Sequence, residues 1–133
     1  MRGGAEPRQE LRALLDRLNV PEYPARIASR IGERVEFVDL SRVSHFFASD
    51  KLTYAATPGK NYAIDHTIQE LEQKLDPRKF VRIHRATLVN LDSVYDLHAM
   101  FAGRMIVRLK DEKRTELAVS RDRVKALKQR LGI

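Results

Sequence analysis

The sequence predicts a mainly β, antiparallel fold with short helices and one further helix at the N-terminus. Three observations predict it. Apolar residues alternate over many short runs, which is the period of a half-buried strand. Turn signals fall between those runs at Gly32-Glu33, Asp50-Lys51, Pro58-Gly59 and Ala102-Gly103. Beyond the N-terminus, only residues 67–75 and 120–131 repeat at helical spacing. The length of 133 residues and the 43% apolar content suit one domain with a short appendage.

Residues 7–19, PRQELRALLDRLN, read as a helix with Leu11, Leu14, Leu15 and Leu18 on one face. Pro21 and Pro24 stop it, so residues 1–25 are expected to be a helix and linker, and residues 26–133 the main domain. RIASRI and RVEFVDL flank Gly32-Glu33 as a hairpin, with Val35, Phe37 and Val38–Leu40 as the buried side of its second arm. VSHFFAS and LTYAAT form a second hairpin around Asp50-Lys51, and NYAI follows the Pro58-Gly59 turn as a short extended piece. In TIQELEQKL, Thr67 and Glu70 match a capping box, Ile68, Leu71 and Leu75 make the stripe, and Asp76-Pro77 ends the helix. Residues 80–94, FVRIHRATLVNLDSV, form the least regular segment, alternating at first and then broken by polar groups. VYDLHAMF and RMIVRL pair around Ala102-Gly103, the charged turn 110–114 follows, and TELAV is the last strand. SRDRVKALKQRL reads as a short basic helix with Ser120 as N-cap and Val124, Leu127 and Leu131 inward.

The charge is unevenly placed. Of 25 Lys and Arg and 18 Asp and Glu, residues 1–77 hold 11 basic and 12 acidic groups, whereas residues 78–133 hold 14 and 6. A surface with that excess attracts polyanions: DNA, RNA or anionic lipid. Cysteine is absent, which removes disulfides, thiol catalysis and Cys-ligated metals, and fits a reducing, cytoplasmic setting. No apolar run approaches the ~20 residues of a membrane span. Nucleotide-binding and hydrolase motifs are missing, and His45, His66, His84 and His98 are scattered, so neither an enzyme, a cofactor nor a metal site is expected. The aspartates fall at turns, where that residue is expected for backbone reasons.

Two segments carry chemistry. In Phe80–Asn90, Val81 and Ile83 point to one side, which leaves Arg82 and His84 on the other, with Arg85 opening the irregular stretch. Arginine forks onto guanine O6/N7 or a phosphate, and histidine bonds either a base edge or a phosphate. Asn90 reads as a turn tie, and His84 is equally compatible with a buried structural imidazole. The second segment holds Arg121, Arg123 and Lys125 at the start of the last helix, with Lys128 and Arg130 further along as a solvated exterior.

FVRIHRATLVNLD, followed by a strand hairpin and VSRDRVKALKQRL, resembles the LytTR family of bacterial DNA-binding domains. Upstream, VEFVDLSRVSHFFASDKLTYAAT and TIQELEQKLDP occur in the matching order, so the resemblance covers about residues 26–132. It implies an elongated β fold that inserts loops into successive major grooves of bent double-stranded DNA, commonly at paired direct repeats. Such domains usually form the output half of response regulators in two-component systems, behind a receiver domain that is absent from these 133 residues. By position, the implied contacts are Lys51 in the Ser49–Leu52 tip, the His84-Arg85 pair, and Arg121 with Arg123. Asp122 stands where relatives often carry a base, and His45-Phe46-Phe47 departs from the family's acidic-aromatic pattern. The leucine stripe of the first helix is expected either to pair with its twin in a homodimer or to pack on this domain. The rival to DNA binding is a basic module docking acidic proteins or anionic headgroups.

Overall fold

The structure, a computed structural model, describes residues 10–14 and 22–133. Residues 10–14 are helical, with Leu11 and Leu14 exposed; Leu15, Leu18 and the start of the expected linker lie outside the described residues.

Among the described residues, ten strands form three antiparallel sheets. β1 (Arg26–Ile31) and β2 (Arg34–Asp39) make a two-stranded hairpin. β3 (His45–Ser49), β4 (Leu52–Thr57), β5 (Lys60–Ile64), β6 (Phe80–His84) and β7 (Thr87–Asn90) make a five-stranded sheet in the order β5-β4-β3-β7-β6. β8 (Val94–Ala99), β9 (Met105–Leu109) and β10 (Glu116–Val119) make a three-stranded sheet in the order β10-β9-β8. Helix α1 (Ile68–Lys74) joins β5 to β6, and α2 (Val124–Arg130) follows a 3-10 turn at Arg121–Arg123.

The five-stranded sheet separates two cores. On one side Phe46, Leu88 and Phe80 meet Ile27 and Val38 of the first hairpin and Ile68 and Leu71 of α1. On the other, Ile83 and Val89 meet Val107, Leu109, Val119 and Leu127. Strand alternation supplies both faces from one chain: in β7, Leu88 goes to the first core and Val89 to the second.

The expected helix cap at Thr67 is present in full. Thr67 Oγ1 accepts from the Glu70 N–H at 3.1 Å, and Glu70 Oε1 accepts from the Thr67 N–H at 2.9 Å. Three expectations are corrected. Val38 and Leu40 are buried, but Val35 and Phe37 face outward, Phe37 being 64% exposed with the Arg26 guanidinium 5.2 Å from its ring centroid. Only one face of a two-stranded hairpin can meet the core, and Ile27–Val38 pairing selects that face. Residues 80–94 are regular for most of their length: β6 and β7 form a tight hairpin, and the polar groups that disguised it sit at its turn and from its last residue onward. Asn90 is one of them. Its Nδ2 donates to the Val43 carbonyl at 2.9 Å and its Oδ1 accepts from the Asp92 N–H at 3.0 Å. Finally, the Ser120 side chain makes no capping bond, and the helix opens as a 3-10 turn instead.

Candidate nucleic-acid interface

Register brings the sequence-predicted residues to one end of the molecule. β3 pairs antiparallel with β7 through Phe47–Thr87, and one residue further the Ala48 N–H donates to the Ala86 carbonyl at 2.9 Å. The β3–β4 tip, Asp50-Lys51, therefore stands beside the β6–β7 tip, Arg85-Ala86. Both residues of the first tip are left-handed, with φ of 51° at Asp50 and 69° at Lys51. That is the backbone of the tightest two-residue hairpin connection, here made without glycine.

A bulge ties in the third segment. Arg82 pairs with Leu88 and His84 with Thr87, so Ile83 is an extra residue in β6. Its carbonyl accepts from the Ser120 N–H at 2.8 Å, and its side chain is fully buried in the second core. Ser120 is thus held one residue from His84, and Arg121 begins at that point.

Exposed cations line this end. Lys51, Arg85, Arg121 and Lys125 are exposed and Arg123 is half-buried. Among the described residues, no acid lies within ion-pair distance of any of the five. Exposed Asp50 and Asp122 adjoin Lys51 and Arg121 in the chain without forming such pairs.

Arg82 is placed differently. The bulge corrects the expectation that it shares a side with His84: Arg82 lies opposite Leu88 on the side of β6 covered by α1, whereas His84 lies opposite Thr87 on the other side, and Arg82 does not offer a free guanidinium. Its side chain is 16% exposed, with Nη1 3.2 Å from Glu72 Oε1 and Nη2 donating to the Arg85 carbonyl at 2.8 Å. Nε is buried without a protein partner. Arg82 braces the tip that presents Arg85. Glu72 completes the brace and is invisible to a reading of the sequence, because only the packing of α1 brings it to β6.

His84 is half-buried, and its Nδ1 accepts from the Ala86 N–H at 3.1 Å. A backbone N–H only donates, so the neutral ring carries its proton on Nε2. The imidazole presents a donor at that edge, suited to a phosphate oxygen or to the acceptors of guanine.

The other imidazoles and carboxylates do not gather here. His45 is buried beside Ser44 Oγ (2.9 Å), and burial lowers its pKa, with Asp111 acting weakly in the opposite sense. Asp96 is held low by its two bonds to Arg108 (2.8 and 2.5 Å). Among the described residues, no cluster of three or more His, Cys, Asp or Glu is arranged to hold a metal ion, and no helix is long and apolar enough to cross a membrane.

Comparison with known proteins agrees with this fold. The chain is 33% identical over 97 residues to the transcriptional regulatory protein YpdB of Escherichia coli K12, covering 73% of this chain and 39% of that protein. It is 29% identical over 100 residues to the heme-containing CO-sensing transcriptional regulator RcoM 2 of Paraburkholderia xenovorans, covering 75% and 37%. With the sensory transduction protein LytT of Bacillus subtilis it shares 27% over 108 residues, covering 81% and 44%. The chain thus spans about two fifths of the length of these relatives. In three dimensions it matches a LytTr DNA-binding domain from a Bacillus cereus response regulator, with a TM-score of 0.74 at 20% identity, covering 83% of this chain and 99% of that one. This likeness shows a common fold. The family model of the LytTr DNA-binding domain matches residues 33–132, most of the chain, and the chain therefore belongs to the LytTR family.

Proposed function

We propose that this chain binds double-stranded DNA sequence-specifically and thereby regulates transcription in a bacterium. The observation that carries the reading is the row of unpaired cations on adjoining tips: Lys51, then Arg85 with His84, then Arg121, Arg123 and Lys125. In the strand order β4-β3-β7-β6 the Lys51 and Arg85 tips stand two spacings apart, about 10 Å at ~4.8 Å per strand, and the Ser120–Ile83 bond sets the Arg121 segment next to β6. In this reading the tips enter successive major grooves of the duplex, as the family resemblance implies. A duplex reached in this way bends toward the protein, and its deformability contributes to specificity. Arg85 and Arg121 read base edges, each worth about 1–3 kcal/mol of discrimination when bidentate. Lys51, Arg123 and Lys125 hold phosphates and supply the salt dependence.

In this reading residues 26–133 are the DNA-binding domain, and residues 1–25 are a helix and linker toward a receiver domain or a twin subunit. The exposure of Leu11 and Leu14 supports an intermolecular role for that helix. Names of relatives such as "transcriptional regulatory protein" support the regulatory part.

The test is selection of bound duplexes from a random pool, followed by Arg85→Ala on the selected site. A recovered motif, two copies at fixed spacing, and a loss at least tenfold greater on the selected site than on random DNA are expected. Equal losses on both DNAs make Arg85 a phosphate clamp. Failure to enrich any motif, with retention on anionic vesicles, replaces the reading with membrane docking.

A further inference from the structure

The turn between β8 and β9 has no part in the interface described so far. Phe101 at its summit is 93% exposed, and Met100 beside it is also exposed. Ala102 and Gly103 are left-handed, with φ of 64° and 76°, and the Met100 N–H donates to the Arg104 carbonyl at 2.7 Å. The turn is therefore closed by its own backbone and lifts an aromatic ring into water, with an exposed Arg104 at its foot. So large an apolar group left uncovered points to a contact made outside the chain.

Its position narrows what that contact is. β9 pairs with β10 through Met105–Val119, so the turn emerges where the chain enters Ser120 and Arg121. Gly103 and α2 form the walls of an open groove lined by Arg121, Val124, Lys125, Lys128 and Gln129, with Ile133 at its end. Three cations face one channel, and no acid lines it. The groove continues the cationic row past Arg121.

We infer that the β8–β9 turn is a further DNA-contacting element: the groove between it and α2 seats one phosphate strand on Lys125 and Lys128, Arg104 adds a contact at its rim, and Phe101 packs on the sugar and base edges beyond. Apolar wedges flanked by arginine are a recurrent way to grip a duplex beside its read bases. The inference rests on the proposed function, which it extends by one element. Lys128 moves from a solvated helix exterior to the contact set.

The test uses the whole chain and a mixed-sequence duplex, with affinity measured across a salt series for wild type, Phe101→Ala, Phe101→Tyr, Arg104→Ala and Lys128→Ala. Phe101→Ala is expected to weaken binding about tenfold at unchanged salt slope, and Phe101→Tyr to keep wild-type affinity. Arg104→Ala and Lys128→Ala each reduce the slope by about one. Wild-type affinity and slope in Phe101→Ala and Lys128→Ala overturn the inference while leaving the proposed function intact. So does a Phe101→Ala variant that binds DNA normally but changes its self-association, which makes the turn a protein contact. If wild type itself binds no duplex, the proposed function falls with it.

Discussion

Arg82 holds Arg85 from below: its Nη2 donates to the Arg85 carbonyl at 2.8 Å while its Nη1 is 3.2 Å from Glu72 of α1. An arginine three residues from the exposed one is thus spent on posture. Arg82→Ala should lower affinity for the selected site severalfold and leave the salt slope unchanged, because the lost charge never met a phosphate. Arg82→Lys should recover little, since an ammonium lacks the planar fork that spans both partners. A slope reduced by one in Arg82→Ala would return Arg82 to the set of direct contacts.

Lys51 combines a charge with an unfavourable backbone. Its φ of 69° suits glycine better than a side chain with a Cβ. Lys51→Gly is expected to leave stability unchanged or raise it by up to about 1 kcal/mol, while the salt slope of DNA binding falls by about one. Thermal melting and a salt titration on the same sample separate the two effects. An unchanged slope removes Lys51 from the interface.

His45 makes the domain acid-sensitive. Burial among neighbours including the Phe47 ring, centroid 5.5 Å away, disfavours the charged imidazole and lowers its pKa below the ordinary 6.5. The unfolded chain then takes up a proton at a higher pH than the native one. Its contribution to stability is complete above pH 6.5 and is lost as the pH falls from there toward the lowered native value. Urea midpoints should drop between pH 7.5 and 5.5, and His45→Gln should flatten that slope. The carboxylates of Asp76, Asp96 and Asp111 also titrate below their ordinary values, so their contributions are lost only in more acidic solution. Identical slopes in wild type and variant would contradict this assignment.

Asn90 joins two strand ends without touching the cationic row. Removing its amide leaves the Val43 carbonyl and the Asp92 N–H without partners. Asn90→Ala should cost about 2 kcal/mol in denaturant unfolding and leave affinity unchanged at temperatures where the variant is folded. A large loss of affinity in the folded variant would instead make Asn90 part of the site.

The turns, the Thr67–Glu70 capping box and the basic C-terminal half were legible because each depends on neighbours in sequence: a two-residue connection, a four-residue cap, a local charge count. The family resemblance was legible too, since FVRIHRATLVNLD is a contiguous string. Which face of β2 meets the core was not, because alternation defines two faces and only Ile27 and Val38 packing on the five-stranded sheet chooses between them. Nor was the division of labour between Arg82 and Arg85. Both are arginines in one hairpin, and burial against Glu72, ten residues upstream of Arg82, is what separates the brace from the exposed cation. Local sequence settles what a segment becomes, through backbone preference and nearby hydrogen bonds. What a charged side chain is free to do depends on which distant element packs over it, and that is decided only when the sheets and helices close on their cores.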